Sequence, residues 1–82
     1  MSELTLEVRT PEKNLFLGKV ESLTAEAIDG KLGVLAGHAP LATCLKKGTL
    51  SFHKDKGEEI RLDIQGGFLI VKNNQATALV KT

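Results

Sequence analysis

Asp29-Gly30-Lys31-Leu32-Gly33-Val34-Leu35-Ala36-Gly37-His38-Ala39-Pro40 packs three glycines and a proline into twelve positions, around a short apolar core of Leu32, Val34 and Leu35. Glycine permits positive φ and close backbone approach, so this density predicts tight turns or a surface pressed against something. Pro40 pushes Ala39 toward an extended conformation and has no N–H to give to a sheet ladder. The stretch therefore reads as a turn, a short strand and a shaped loop. It offers no nucleophile beside a base, and so reads as a contact surface.

The chain on either side alternates with period two. Leu4, Leu6 and Val8 share one face while Thr5, Glu7 and Arg9 share the other, which is a half-buried strand. Thr10-Pro11-Glu12-Lys13-Asn14 breaks it with turn chemistry. Leu15-Phe16-Leu17 leads through Gly18 into a segment running from Lys19 to Ala27. There Val20 is out of parity with Leu23, Ala25 and Ala27, and a bulge near Ser22 would reconcile them. Downstream, Leu41 to Leu45 and Thr49 to Lys54 read as strands, and Asp55-Lys56-Gly57 as a hairpin turn with glycine where positive φ is usually needed. Ile60, Leu62 and Ile64 then alternate with Glu59, Arg61, Asp63 and Gln65. Gly66-Gly67 interrupts, Phe68 to Val71 forms a continuous apolar run, and Asn73-Asn74 turns the chain into a last strand, Gln75 to Val80. Strands recurring roughly every eight to ten residues predict an all-β sandwich or barrel. No stretch leaves room for a helix of period 3.6.

With 82 residues, the chain is one domain, residues 1–82, near the size where a single core just suffices. It is 41% hydrophobic with a net charge of +1, which excludes a disordered chain and a polyanion binder. No apolar run reaches the roughly 18–20 residues that span a bilayer, and the start has no signal-peptide pattern. Cys44 is the only cysteine, which rules out an internal disulfide and fits a reducing compartment. A cytoplasmic, soluble protein is the expectation. Three phenylalanines without tryptophan or tyrosine argue against a stacking platform for nucleic acid.

The inventory of chemistry is short. His38 and His53 have no cysteine or carboxylate at metal-ligand spacing, so no metal and no cofactor is expected. Cys44, mid-strand among Leu41, Ala42 and Leu45, reads as a small core or half-buried side chain. His53 shares a solvated strand face with Ser51, and Glu58, Glu59 and Asp63 form an ordinary polar face beside Lys54, Lys56 and Arg61. Gly30-Lys31-Leu32-Gly33 lacks the spacing and the terminal Lys-Ser/Thr of a phosphate loop. His38 sits at a loop tip, where its ring either bonds locally to hold the loop or meets a partner. Lys56 at a hairpin tip raises one alternative, a lipoyl- or biotinyl-like carrier domain, although Asp-x-Gly is routine turn chemistry and the methionines that flank a biotinyl lysine are absent.

Thr10-Pro11-Glu12, then Asp29 to Leu41, then Gly66-Gly67-Phe68-Leu69, in this order and spacing, closely resemble the epsilon-subunit family of the F-type ATP synthases. The resemblance covers essentially the whole chain. It implies a flattened sandwich of about ten mostly antiparallel strands, working as a non-catalytic part of the rotor's central stalk. The implied partners are the gamma subunit and the polar loops of the c-ring, with no nucleic acid and no direct lipid insertion. The implied location is the cytoplasmic face of the bacterial inner membrane. Carried over residue by residue, the c-ring contact falls on Ile28, Asp29, Gly30, Lys31, Leu32 and Gly33, and the gamma contact on Thr10, His38, Ala39, Pro40 and Thr43. Two departures stand out. The family often has an acidic residue where this chain has Lys31, and the chain stops at Lys81-Thr82, where family members continue into an inhibitory helical hairpin. The expectation is a polypeptide that couples rotation but does not inhibit.

Overall fold

The computed structural model describes residues 3–54 and 57–82; Lys56, on which the carrier alternative falls, lies outside the described residues. Nine strands carry them: β1 (Leu4–Arg9), β2 (Asn14–Val20), β3 (Ser22–Ala27), β4 (Gly30–Leu35), β5 (Leu41–Leu45), β6 (Gly48–His53), β7 (Glu59–Ile64), β8 (Gly66–Lys72) and β9 (Gln75–Lys81). The all-β expectation holds, with nine strands among the described residues. They form one hydrogen-bonded sheet in the order β2-β1-β9-β8-β5-β3-β6-β7, with β4 on the other edge of β3. Every pairing is antiparallel except β1 with β9, where the first and last strands run side by side.

The sheet folds over on itself at one point. β5 meets β3 only through Ala27 and Leu45, so five strands (β2-β1-β9-β8-β5) form one layer and four (β4-β3-β6-β7) the other. Phe16 of β2 and Phe52 of β6 stand far apart in strand order, yet their ring centroids are 4.5 Å apart. That contact closes the two layers on each other. Gly18 makes it possible: a Cβ there would lie 3.2 Å from the Phe16 ring, so the bare backbone lets the ring lie flat and reach across. The core between the layers is built from the alternating positions that the sequence marks, including Leu4, Leu6, Val8, Leu23, Leu50, Ile64, Leu69 and Val80. Burying such side chains supplies the main favourable term in folding.

Two expectations, on Ser22 and on Cys44, are corrected. The parity change near Ser22 is not a bulge in one strand. The chain leaves β2 at Val20 and enters β3 at Ser22, crossing from one layer to the other, and the Glu21 N–H donates to the His53 carbonyl at 2.7 Å to fix the crossing. The apolar run Phe68 to Val71 divides between the two faces of β8. Leu69 and Val71 point into the core while Phe68 and Ile70 point out, because a strand cannot put successive side chains on one face. Cys44 is exposed, since its register partner in β8 is the outward-facing Phe68.

Candidate functional site

The stretch from Asp29 to Pro40 folds as a turn, a strand and a loop. Ala27 pairs with Gly30, so Ile28 and Asp29 form a two-residue tip between β3 and β4, and Gly30 takes φ 126°. The Ile28 N–H donates to the Cys44 carbonyl at 3.1 Å and the Lys46 N–H to the Glu26 carbonyl at 2.9 Å, which clamps the tip against the end of β5. Ile28, Asp29, Gly30, Lys31 and Gly33 are exposed, and Ile28 keeps 62% of its surface at the apex. Leu32 differs: it faces inward and packs on the core. Five of the six residues assigned to one contact thus form a continuous surface, and the sixth supports it from below.

The loop after β4 lies at the opposite end of the molecule. Gly37, at φ 83°, donates its N–H to Asn74 Oδ1 at 2.6 Å, which ties the loop to the β8–β9 turn. That turn is the Asn73-Asn74 pair, with φ of 53° and 61°, the left-handed geometry that asparagine tolerates and a two-residue hairpin demands. The His38 N–H closes the loop onto the Leu35 carbonyl at 3.2 Å, and ring Nδ1 donates to the Ala39 carbonyl at 2.7 Å. A carbonyl only accepts, so this bond places the proton on Nδ1 and leaves Nε2 of the neutral ring as an acceptor. Ala39 and Pro40 are exposed.

Thr10 is buried, with 6% of its surface exposed. Its hydroxyl accepts from the N–H groups of Glu12 and Lys13 at 3.2 and 3.1 Å, so the side chain organises the β1–β2 turn from within. Thr43 shares its side of β5 with Leu41 and Leu45, and is half-buried. The five residues assigned to the other contact are therefore not one cluster. The Thr10 turn and the His38-Ala39-Pro40 loop stand at opposite ends of the five-stranded layer, roughly 15–20 Å apart at the rise of a five-residue strand, and Thr43 lies on the reverse side of β5.

What lies between the two ends is a face that the sequence reading missed. Phe68, Ile70 and Leu79 point outward from β8 and β9 with 39%, 47% and 44% of their surface exposed, and Ala42 and Cys44 of β5 continue the patch. Phe68 pairs directly with Leu79 across the strands. Toward the Thr10 end the patch deepens into a cleft of about 590 Å³ that Pro11, Gly67, Phe68, Leu79 and Val80 help to line. The outer face of the other layer is mostly polar, carrying Thr24, Glu26, Ser51, Arg61 and Asp63, with Leu35 of β4 as its exposed large apolar side chain. A contiguous exposed apolar surface on a sheet face is a candidate interaction site. The missed signal was available: four apolar residues in a row on a strand must send two of them outward.

Chemistry adds little. No group of three or more metal-ligating side chains occurs among the described residues. Ser22 Oγ lies 3.3 Å from His53 Nδ1, but no carboxylate bonds to that histidine among the described residues, so the two form a cross-strand pair and not a proton relay. No helix of the described residues is long and apolar enough to cross a membrane.

Comparison with known proteins agrees with this geometry. The family model for the ATP synthase delta/epsilon chain, β-sandwich domain, matches residues 3–82. The chain is 33% identical over 82 residues to the ATP synthase epsilon chain of Brevibacillus brevis, covering 100% of this chain and 62% of the relative. It is 42% identical over 81 residues to that of Natranaerobius thermophilus, covering 98% of this chain and 57% of the relative. The chain thus spans about three fifths of the length of these relatives. Among solved structures, a chain of the Euglena gracilis mitochondrial ATP synthase superposes with a TM-score of 0.94 at 23% identity, over 100% of this chain and 52% of that one. A chain from the central stalk and c-ring of the Tetrahymena thermophila enzyme gives 0.80 at 21%, over 96% and 63%. At those identities the two structures speak for the fold.

Proposed function

We propose that this chain, which belongs to the delta/epsilon-chain β-sandwich family of the ATP synthases, serves as a non-catalytic subunit of the central stalk that joins gamma to the c-ring. The observation that carries the reading is the exposed apolar face of Phe68, Ile70, Leu79, Ala42 and Cys44, framed by the Thr10 turn at one end and the His38-Ala39-Pro40 loop at the other. Gamma covers that face. The aromatic and aliphatic side chains anchor it, and the His38 loop, held in shape by Asn74, sets its register. The tip formed by Ile28, Asp29, Gly30 and Lys31 meets the polar loops of the ring. Lys31 brings a positive charge to that contact, so the ring loop it meets carries the complementary sign. Coupling is then mechanical. Ring rotation driven by proton flow is passed to gamma through a stiff sandwich that does no chemistry of its own, at the cytoplasmic face of a bacterial inner membrane.

Binding to purified gamma subunit tests this, with Phe68→Ser and Ile70→Ser together as the probe. Truncating central anchors costs about 2 kcal/mol or more, so affinity falls roughly 30-fold at constant temperature, while the fold itself loses only the cross-strand packing of these side chains, about 0.2–1 kcal/mol for a pair such as Phe68 with Leu79. Affinity for gamma that is untouched by the double change refutes the assignment of this face.

A further inference from the structure

β7 closes the four-stranded layer at one edge, since it pairs only with β6 among the described residues. The N–H and C=O groups on its far side are left without a strand partner, the kind of edge that another strand can join. The strand reads Glu59-Ile60-Arg61-Leu62-Asp63-Ile64, with negative, positive and negative charges at alternate positions on the outer face. β6 gives those charges little to meet: Glu59, Arg61 and Asp63 stand opposite His53, Ser51 and Thr49. Arg61 leans along its own strand to Glu59 at 3.4 Å and still leaves 71% of its side chain exposed. Among the described residues, Asp63 accepts only from the Thr49 hydroxyl, at 3.4 Å. On the inner face Ile60 and Leu62 pack on the core yet stay half-buried, while Ile64 is buried. The core thus reaches solvent along this edge.

Charges on an edge strand usually keep other strands away. This set differs because it complements itself in one register. Residues that stand opposite in an antiparallel pair share a face, so a second copy of β7 must match outer face to outer face, or its apolar row turns to solvent. With Leu62 on a two-fold axis, Arg61 of each copy stands opposite Asp63 of the other, Ile60 opposite Ile64, and Leu62 opposite itself. Glu59 then comes opposite Gln65, the next polar residue of the chain. An axis at Arg61 instead sets arginine against arginine and Glu59 against Asp63, and an axis at Asp63 sets aspartate against aspartate. An axis at Ile60 matches Glu59 with Arg61 but leaves only Glu59 to Arg61 overlapping. Opposite charges across two strands favour their pairing and like charges disfavour it. The pattern therefore selects the Leu62 register.

We propose that the free chain forms a weak symmetric dimer through β7, in which the four-stranded layer of one copy continues into that of a second. The dimer uses none of the residues assigned to gamma or to the ring, so it stands apart from the rotor reading. One strand edge is a contact well below standard interface size, and sedimentation equilibrium is expected to give a dissociation constant of about 10 μM to 1 mM. Arg61→Asp and Asp63→Arg test the register. Both side chains are exposed on the outer face, so each variant is expected to keep the parent's melting temperature. Alone, each variant sets like charges opposite each other and is expected to self-associate at least about tenfold more weakly. Mixed, every aspartate of one variant meets an arginine of the other, and the heterodimer is expected to recover the parent's affinity. A folding defect could not produce that recovery. A parent chain that stays monomeric at about 1 mM overturns the proposal and leaves the edge to a strand of another protein. Single variants that dimerise like the parent, or a mixture that stays monomeric, overturn it as well.

Discussion

Gly67→Ala is the substitution that asks most of the architecture. A Cβ on Gly67 would press on the Leu79 carbonyl oxygen and lie 3.0 Å from Val80 Cα. Both are backbone atoms of β9, so no rotamer change relieves the contact, and β8 must move away from its neighbour. The pairing at stake is Gly67 with Val80, flanked by Phe68 with Leu79, in the interior of the five-stranded layer. Overpacking a well-filled interior costs about 1–3 kcal/mol. For a chain of this size each kcal/mol moves the melting temperature by about 4–8 °C, so a mid-range cost of about 2 kcal/mol lowers it by roughly 8–16 °C. Thermal unfolding followed by far-ultraviolet circular dichroism reads the shift directly. Gly33→Ala is the control: it adds the same methyl in open space and is expected to raise stability by about 0.5–1 kcal/mol. The separation also pulls Phe68 away from Leu79, so affinity for gamma falls alongside. A Gly67→Ala protein melting within about 2 °C of the parent would refute the claim that glycine is there to let β8 and β9 close.

Within the hairpin, Leu32→Ala removes a core-packed side chain and is expected to cost about 1–2 kcal/mol in urea unfolding, below the roughly 2–5 kcal/mol of a fully buried leucine because Leu32 is only half-buried. Ile28→Ala, at the exposed apex, is expected to leave stability within about 0.5 kcal/mol while weakening ring binding; the reverse ranking would contradict the burial pattern. Asn74→Gly keeps the left-handed turn but removes the acceptor for Gly37, worth about 0.5–1.5 kcal/mol, so the Gly37 amide is expected to exchange several-fold faster and the melting temperature to fall by about 2–12 °C. The exposed pair Lys19 Nζ–Glu3 Oε1, at 2.9 Å, holds the Glu3 carboxyl below its ordinary range by hydrogen bonding and charge, and raises Lys19 by the same contact. Its contribution is present above the ordinary carboxyl range and is lost as pH falls through the lowered Glu3 value. At the alkaline end it is present below the ordinary lysine range and is lost as pH rises through the raised Lys19 value. An NMR titration is expected to show the Glu3 midpoint rising in Lys19→Gln, and an unmoved midpoint would discount the pair.

Alternation made most of the strands legible, and turn residues marked their ends. Asn73-Asn74 and Gly57 take the positive φ that hairpin turns need. Alternation does not say where a chain passes from one layer to the other. Val20-Glu21-Ser22 looks like a bulge in sequence, because a crossing and an inserted residue shift parity in the same way. The candidate site was half legible. The Asp29–Pro40 stretch stood out because glycine and proline leave a conformational signature, and its resemblance to a known family named the partners. Phe68, Ile70 and Leu79 did not stand out, because an outward apolar side chain differs from an inward one only by register, which the long-range pairing of β5, β8 and β9 sets. Thr10 illustrates the converse. A residue in a family motif can hold its place by organising a turn, with its hydroxyl facing the chain's own N–H groups.

The two proposed contact surfaces meet in one short strand. β5 begins directly after His38-Ala39-Pro40, carries Ala42 and Cys44 on the apolar face, and at its far end receives the hairpin tip through the Ile28 N–H to Cys44 carbonyl bond. β5 is also the hinge line of the sandwich, since only Ala27 with Leu45 joins the layers along the ladder. On the rotor reading, load taken up at the tip enters the five-stranded layer there and leaves through β5 and β8 into gamma. Transmission then depends on how firmly β5 is held, and it is paired along its whole length with β8 from Leu41–Val71 to Leu45–Gly67. Gly67 therefore stands at the junction of both arguments: it lets β9 close on β8, and it anchors the end of β5 where the two surfaces join. On that reading the subunit passes force without chemistry of its own. It needs a stiff ladder with a partner at each end, and β5 supplies the shortest path between them.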